Sequence, residues 1–421
     1  MGEHRNPTAP RPWRGRLLVL AGILAVAFTL RTAVTAVPPV VESIGRDLLL
    51  PSWLVGVIGM LPTALFAIAG LATPALMRRA SPEAIAVGAM ALAGLGQAVR
   101  AAAGDTWLFI AGTVVALAGM GAGNIVLPPL VKKHFTDRPG VVTALYVTVI
   151  SVGTAIPPAV AVPVAEAAGW RFSLGSWALV NAVAVLPWLS IWPARGKRPA
   201  GGERGPGAAA PAGRVPDPAG SAPIRVWRSR RAWALAFLFG CTSLMTYTMF
   251  AWIPRIALEA GLSPEEAGLQ LALFSAPGLP LSLAVPLVAT RLRTPWPIVV
   301  FGVACFSAGF GGLWFAPAAA PALWSVLTGF GPATFPLALL LVNLRTRSQR
   351  VSGALSGFAQ GVGYAVACLG PVVAGALRDA TGTWTASFAF LAAVLAVLAV
   401  AGWHASRPGA VDDDGGVLAA R

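Results

Sequence analysis

The 421-residue chain is 56% hydrophobic and 11% charged, with a mean hydropathy of +0.72 and a formal net charge of +15. That hydropathy excludes an ordinary soluble protein, and no polar stretch approaches the roughly 100 residues of a soluble catalytic domain. Its three cysteines lie far apart within apolar segments, and His4, His134 and His404 sit at or beyond segment ends; neither a disulfide nor a metal centre is expected.

Apolar segments of membrane-crossing length are predicted at 17–41, 53–76, 84–102, 107–131, 141–163 and 172–193. They resume at 232–254, 269–290, 296–316, 321–344, 351–376 and 385–404. The first carries Arg31 within AFTLRTAVTAVPP, residues 27–39. A charge near mid-bilayer costs about 2.5–3.5 kcal/mol on insertion scales. No carboxylate is at hand to offset it, because all sixteen Asp and Glu fall in loops, tails or helix ends. Two readings stand open. Arg31 faces a water-filled cavity and offers a planar cation to a solute, or carbonyls and hydroxyls of neighbouring helices hold it.

Further along, Arg78 and Arg79 follow the second segment, and Asn124 precedes Pro128–Pro129 in the fourth, which ends near Lys132 and Lys133. Asn124 would bind solute or satisfy backbone loosened by the prolines. Tyr146 lies in the fifth segment, Thr246 and Tyr247 in the seventh, and Arg345 and Arg347 close the tenth. In the eleventh, Ser352, Ser356, Gln360 and Tyr364 recur every four residues as a polar stripe. Gly353, Gly357 and Gly361 run beside it, a stripe that lets another helix approach closely. Gln360 and Tyr364 are the stripe's candidates for orienting a polar solute.

With the N-terminus inside, the inner segments hold 25 of the 31 Lys and Arg. The outer ones hold Arg46, Arg100, Arg171, Arg255 and Arg378, and Arg31 remains. This asymmetry records membrane topology rather than nucleic-acid binding, and both termini are expected in the cytoplasm. The basic clusters at Arg78, Arg79, Lys132 and Arg345 are topology determinants that also serve as gating candidates. Trp53, Trp107, Trp170, Trp296 and Trp384 are read as interfacial anchors.

The two sets of six segments repeat. GMGAGNIVLPPLVKKHF at 119 aligns with GFGPATFPLALLLVNLR at 329, and the same offset pairs Tyr146 with Ser356. A slightly larger one pairs Pro39 with Pro254 and Arg31 with Thr246. Two parallel six-helix halves with a site between them describe a secondary transporter. The expected division is an N-terminal tail (1–16), a first bundle (17–193), a flexible basic linker (194–231), a second bundle (232–404) and a C-terminal tail (405–421). The fold class is thus an all-α integral membrane protein of twelve transmembrane helices.

GAGNIVLPPLVKKHF (121–135), GWRFSLGSWA (169–178), Tyr247 with Trp252–Ile253–Pro254, and the long segment 344–384 carry a closer likeness. They resemble the cyanate permease/2-nitroimidazole transporter branch of the major facilitator superfamily. Two departures are visible: Thr29 stands where that branch usually carries Asn. After the second helix, Gly70 and Arg78–Arg79 match the superfamily hallmark, but Pro74 replaces its Asp. The resemblance implies a small-solute permease of a bacterial inner membrane whose first helix lines the central cavity. The branch's solutes include both a small anion and a neutral nitro-heterocycle.

The expected function is secondary active or facilitative transport of a small anionic or polar solute, cyanate-like, by alternating access. Arg31, Asn124, Tyr146, Thr246, Tyr247, Gln360 and Tyr364 are the candidate solute contacts. The alternative is an exporter of neutral nitro-heterocycles or other drug-like compounds. No nucleophile–base pair, metal cluster or phosphate-binding loop suggests an enzyme, and no cofactor is expected. The expected partners are the solute and the lipid bilayer, with the chain a monomer. With no carboxylate embedded in the spans, exchange or downhill flux is favoured over dedicated proton symport.

Overall fold

The computed structural model describes residues 16–77, 79–135, 139–191, 225–347 and 349–414. The N-terminal tail, Arg78, most of the linker and residues 415–421 lie outside the described residues. Ten helical stretches are long and apolar enough to cross a membrane. One of them, Val141–Leu189, is two spans, and the shorter Trp53–Ala69 supplies another, so twelve spans are described.

The first six are α1 (17–47), α2 (Ser52–Met77), α3 (Pro82–Ala101), α4 (Thr106–His134), α5 (139–168) and α6 (170–191). Helix α5 hands over to α6 at Gly169, whose φ of 82° and ψ of 156° lie outside the range of most L-residues. The second six are α7 (Arg230–Glu259), α8 (Pro264–Ala289), α9 (Trp296–Phe315), α10 (321–344), α11 (349–381) and α12 (Thr385–Ser406).

Four helices are interrupted among the described residues. Helix α8 turns at Ala276–Pro277, α10 passes through a 3-10 turn at Gly331–Ala333, and α11 pauses at Cys368. Helix α1 is broken hardest: Leu17–Thr29 ends, Thr32–Thr35 restarts, and a turn at Pro38–Val40 leads into Val41–Asp47. The threonine hydroxyls explain part of this. Thr29 donates to the Val26 carbonyl and Thr32 to the Thr29 carbonyl, each three residues back, which bends a helix away from its own ladder. Pro38 and Pro39 have no N–H to return to the carbonyls four residues earlier.

Close backbone contact holds the first half together. A side-chain carbon added at Gly112 of α4 would stand 2.6 Å from the Arg100 nitrogen, so α3 and α4 touch nearly backbone to backbone. The two halves meet at the end of the bundle remote from the linker. There Gly56 and Gly59 of α2 lie on Pro371 of α11, and Gly268 of α8 lies on the Pro158 carbonyl of α5. At the linker end, Gly357 and Gly361 of α11 are exposed, with nothing within 4 Å of where a side chain would begin. The packing expected of that stripe is not made at these two glycines.

Each half is clamped at the remote end. Asp47, closing α1, accepts from the Trp170 indole (2.9 Å) and from Arg171. Glu259, closing α7, accepts from the Trp384 indole (2.8 Å), Arg378 (3.0 Å) and Arg255 (3.1 Å). Trp170 is only 5% exposed, so it packs inside the bundle rather than standing at an interface, whereas Trp107 is 72% exposed. At the linker end the described part of the C-terminal tail folds back on its own half. Asp414 binds Ser229 and Arg231, Asp413 binds Arg347 (2.9 Å), and the buried Val411 donates its N–H to the Arg345 carbonyl.

Candidate functional site

Between the halves lies a cavity of about 560 Å³, in the range of small-molecule sites. Its wall takes residues from α1, α4, α5, α7, α8, α10 and α11. Arg31, Asn124, Tyr146, Thr246, Tyr247, Gln360 and Tyr364 all stand on it. Arg31 is the one charged residue among the described lining residues.

The break in α1 exposes Arg31 to this space. Its side chain is half-buried, and Nη1 donates to the Tyr247 hydroxyl of α7 at 2.6 Å, across the boundary between the halves. On its other side the guanidinium carbon lies 4.9 Å from the centre of the Phe66 ring of α2. Such a contact stabilises a cation by about 0.5–2 kcal/mol. Both readings of the sequence therefore meet in one residue: a neighbouring hydroxyl holds the arginine, and it faces the cavity. The Tyr247 oxygen accepts from Arg31, which leaves its own proton to donate elsewhere. Arginine and tyrosine together offer an anion two convergent donors.

Around this pair the wall is mostly apolar and aromatic. Tyr247 meets Phe250 edge-on at 5.7 Å, Phe250 meets Phe274 at 5.4 Å, and Tyr364 meets Phe239 at 5.1 Å. The Gln360 amide donates to Ser356 at 2.8 Å, one step along the predicted polar stripe. The Thr246 hydroxyl turns back to the Thr242 carbonyl of its own helix at 2.8 Å, leaving it weaker as a solute donor than its position suggests.

Several wall residues escaped the sequence reading: Ser151 and Thr154 of α5, Ser243 of α7, and Ser275 and Ser282 of α8. Their signal was present but faint. Ser275, Gly278, Ser282 and Pro286 recur every three or four residues, marking one small-residue face of an apolar helix. Ser243 is buried and its hydroxyl has no partner among the described residues.

Of the gating candidates, Arg78 and the Lys132 side chain lie outside the described residues. Arg79 is exposed at the end of α2. Lys133, beside Lys132, pairs with the buried Glu83 of α3 at 2.9 Å, and His134 meets the same carboxylate at 2.6 Å. Arg345 donates to the Ser406 carbonyl at 3.0 Å; burial and the neighbouring Arg231 charge hold its guanidinium below the ordinary arginine pKa. These contacts brace each half internally.

The Major Facilitator Superfamily profile matches residues 18–368. The chain belongs to the major facilitator superfamily. It is similar to the 2-nitroimidazole transporter of Escherichia coli (strain K12), with 32% identity over 94% of this chain and 96% of that one. It is also similar to the cyanate transport protein CynX of the same strain, with 24% identity over 88% and 93% of the two chains. A solved bacterial homologue of the human lysosomal transporter Spinster, inward-facing and unoccupied, superposes with a TM-score of 0.69 at 14% identity. That match covers 94% of this chain and 98% of the other, and it fixes the fold. The protein is thus a multi-pass membrane transporter of small solutes on the major facilitator fold, not an enzyme.

Proposed function

We propose that this transporter moves a small anionic or strongly polar solute, cyanate-like, across a bacterial inner membrane by alternating access. Both termini are cytoplasmic in this reading, and the linker end of the bundle is the cytoplasmic end, so the cavity faces inward. The observation that carries it is Arg31: one cation, held by Tyr247 and Phe66, on a cavity wall that otherwise offers neutral donors. One charge with several neutral donors suits a monovalent anion better than a dianion. An anion entering a negative-inside cell works against about 2.3 kcal/mol per 100 mV. The described wall carries no carboxylate or histidine to couple a proton to that entry, which favours exchange or downhill flux.

The second reading, export of a neutral nitro-heterocycle, draws on the relative named 2-nitroimidazole transporter and on the aromatic wall of Phe250, Phe274 and Phe335. Binding to the purified protein separates the two, with wild type beside Arg31→Gln and with cyanate, nitrate, acetate and a neutral nitroimidazole as ligands. Anion binding that disappears in a folded Arg31→Gln variant supports the anion reading. If the nitroimidazole alone binds, equally to both proteins, the anion reading is wrong and the exporter takes its place.

A further inference from the structure

The sequence counts Arg100 among the outer basic residues, as a mark of topology. In the structure it lies at the end of α3 with a side chain of zero exposure, among the largest fully buried side chains of the molecule. Its Nη1 donates to the Ala33 carbonyl at 3.3 Å, while Nε and Nη2 have no partner among the described residues. An arginine cannot shed its charge to ease burial, and a buried guanidinium gains little stability from one long hydrogen bond. Stability alone gives no account of it.

Its single bond goes to the segment carrying the cavity's cation. Ala33 lies two residues after Arg31, in the four-residue piece Thr32–Thr35 between the break and the double proline. Within that piece the Val34 and Thr35 N–H groups bond back to the Arg31 carbonyl, but Pro38 and Pro39 return nothing to the carbonyls of Val34 and Thr35 themselves. The frame behind Arg100 is rigid: Gly112 of α4 presses on the Arg100 backbone itself, and Gly96 of α3 presses on Ala116. Arg100 thus reaches from a closely packed helix pair to the short piece of α1 that follows the cavity's cation.

We infer that Arg100 is a positioning residue for Arg31: by gripping the Ala33 carbonyl it sets the rotation of the Thr32–Thr35 piece, and with it the aim of Arg31 at Tyr247. The inference rests on the reading of Arg31 as the solute contact, and it goes further by naming what aims that contact.

The chain has three tyrosines, Tyr146, Tyr247 and Tyr364, and all three line the cavity. Incorporating 3-fluorotyrosine gives three fluorine resonances, assigned by Tyr→Phe replacement, that report on the pair without any solute. The test compares wild type, Arg31→Gln, Arg100→Met and the double variant, all full-length in detergent. Arg100→Met is expected to move the Tyr247 resonance most of the way to its Arg31→Gln position while leaving Tyr364 in place. It should move nothing further in the Arg31→Gln background. Its melting temperature should stay level or rise, since a volume-matched apolar residue removes a buried charge. Should the Met variant not fold, Arg100→Lys is read instead, with a smaller displacement of the same resonance expected.

A Tyr247 resonance unmoved by Arg100→Met but moved by Arg31→Gln overturns the inference, as does an equal shift of all three tyrosines. If Arg31→Gln itself leaves Tyr247 unmoved, the Arg31–Tyr247 bond is absent and the inference falls with it. Failure of the anion reading is a different result: the resonances behave as expected, and Arg31→Gln binds every ligand as wild type does.

Discussion

The two halves of the transporter share a frame and differ in charge. Both close their first helix with a carboxylate that accepts an indole N–H from the tryptophan opening the sixth, Asp47 with Trp170 and Glu259 with Trp384. In both, an arginine of the same clamp lies over that tryptophan, Arg171 at 4.3 Å and Arg378 at 5.8 Å. Yet the first helices themselves diverge. Helix α7 runs unbroken for 30 residues over Pro254, while α1 breaks at Leu30–Arg31. The threonines of α7 donate four residues back, in step with the helix; Thr29 and Thr32 of α1 donate three back. The half whose first helix is broken bears the cation, and the continuous first helix of the other half supplies its tyrosine partner. Repetition built the scaffold, and departure from repetition built the site.

That asymmetry is sharpest in a paired substitution. Arg31→Gln is expected to weaken anion binding by about 100-fold or more, since breaking a desolvated hydrogen-bonded charge contact costs roughly 2–5 kcal/mol. Its repeat-mate Thr246→Ala should change binding by no more than about threefold, because the hydroxyl already serves its own helix. Equilibrium binding to both variants checks this. Comparable losses would mean that the charge is not confined to one half.

The two ends of the bundle offer the next comparison. Gly59 is packed against Ala251 and Pro371, whereas Gly361 faces open space. On the proposed alternating-access reading the open end closes, and Gly361 is then expected to meet a neighbour. Gly361→Trp should leave folding and solute binding intact while transport in proteoliposomes falls about 10- to 100-fold, the effect of roughly 1–3 kcal/mol of overpacking in the closed state. Normal transport by this variant would remove the α11 stripe from the closing surface.

Tyr247→Phe isolates the second half's share of the site. It keeps the ring and its edge contact with Phe250 but removes the hydroxyl beside Arg31. A hydrogen bond to a charged group contributes about 1.5–3 kcal/mol, so anion affinity should fall about tenfold or somewhat more. A neutral nitroimidazole should lose less, and titration with both ligands gives the ratio.

Much of this was legible in the sequence, for reasons that differ by residue. Span length and hydropathy mark lipid exposure directly, so the twelve spans emerged from composition. Arg31 declared itself because a charge in lipid has few excuses. The breaks in α10 and α11 left no such mark, since glycine and proline are common throughout these helices. The burial of Arg100 was not legible for a physical reason as well: an arginine at the end of a span looks the same whether it meets water or a neighbouring carbonyl. Sequence charge patterns report which side a residue is on, not what covers it.

The smallest expected effect lies where the halves agree best. Asp47→Asn and Glu259→Gln each disturb a clamp at the remote end, in exposed surroundings where ion pairs contribute little. Melting temperatures should fall by no more than about 2–4 °C. They should not fall equally. Glu259 accepts from Arg255, Arg378 and Trp384, drawing on α7, α11 and the start of α12; Asp47 accepts from Trp170 and Arg171, both at the start of α6. Losing the glutamate charge loosens the junction of three helices, and losing the aspartate charge loosens two. Glu259→Gln should therefore melt lower than Asp47→Asn by thermal unfolding in detergent. The reverse order would mean that the broken α1 depends on its clamp more than the continuous α7 does. The weakness of the first helix would then extend from the cavity to the membrane surface.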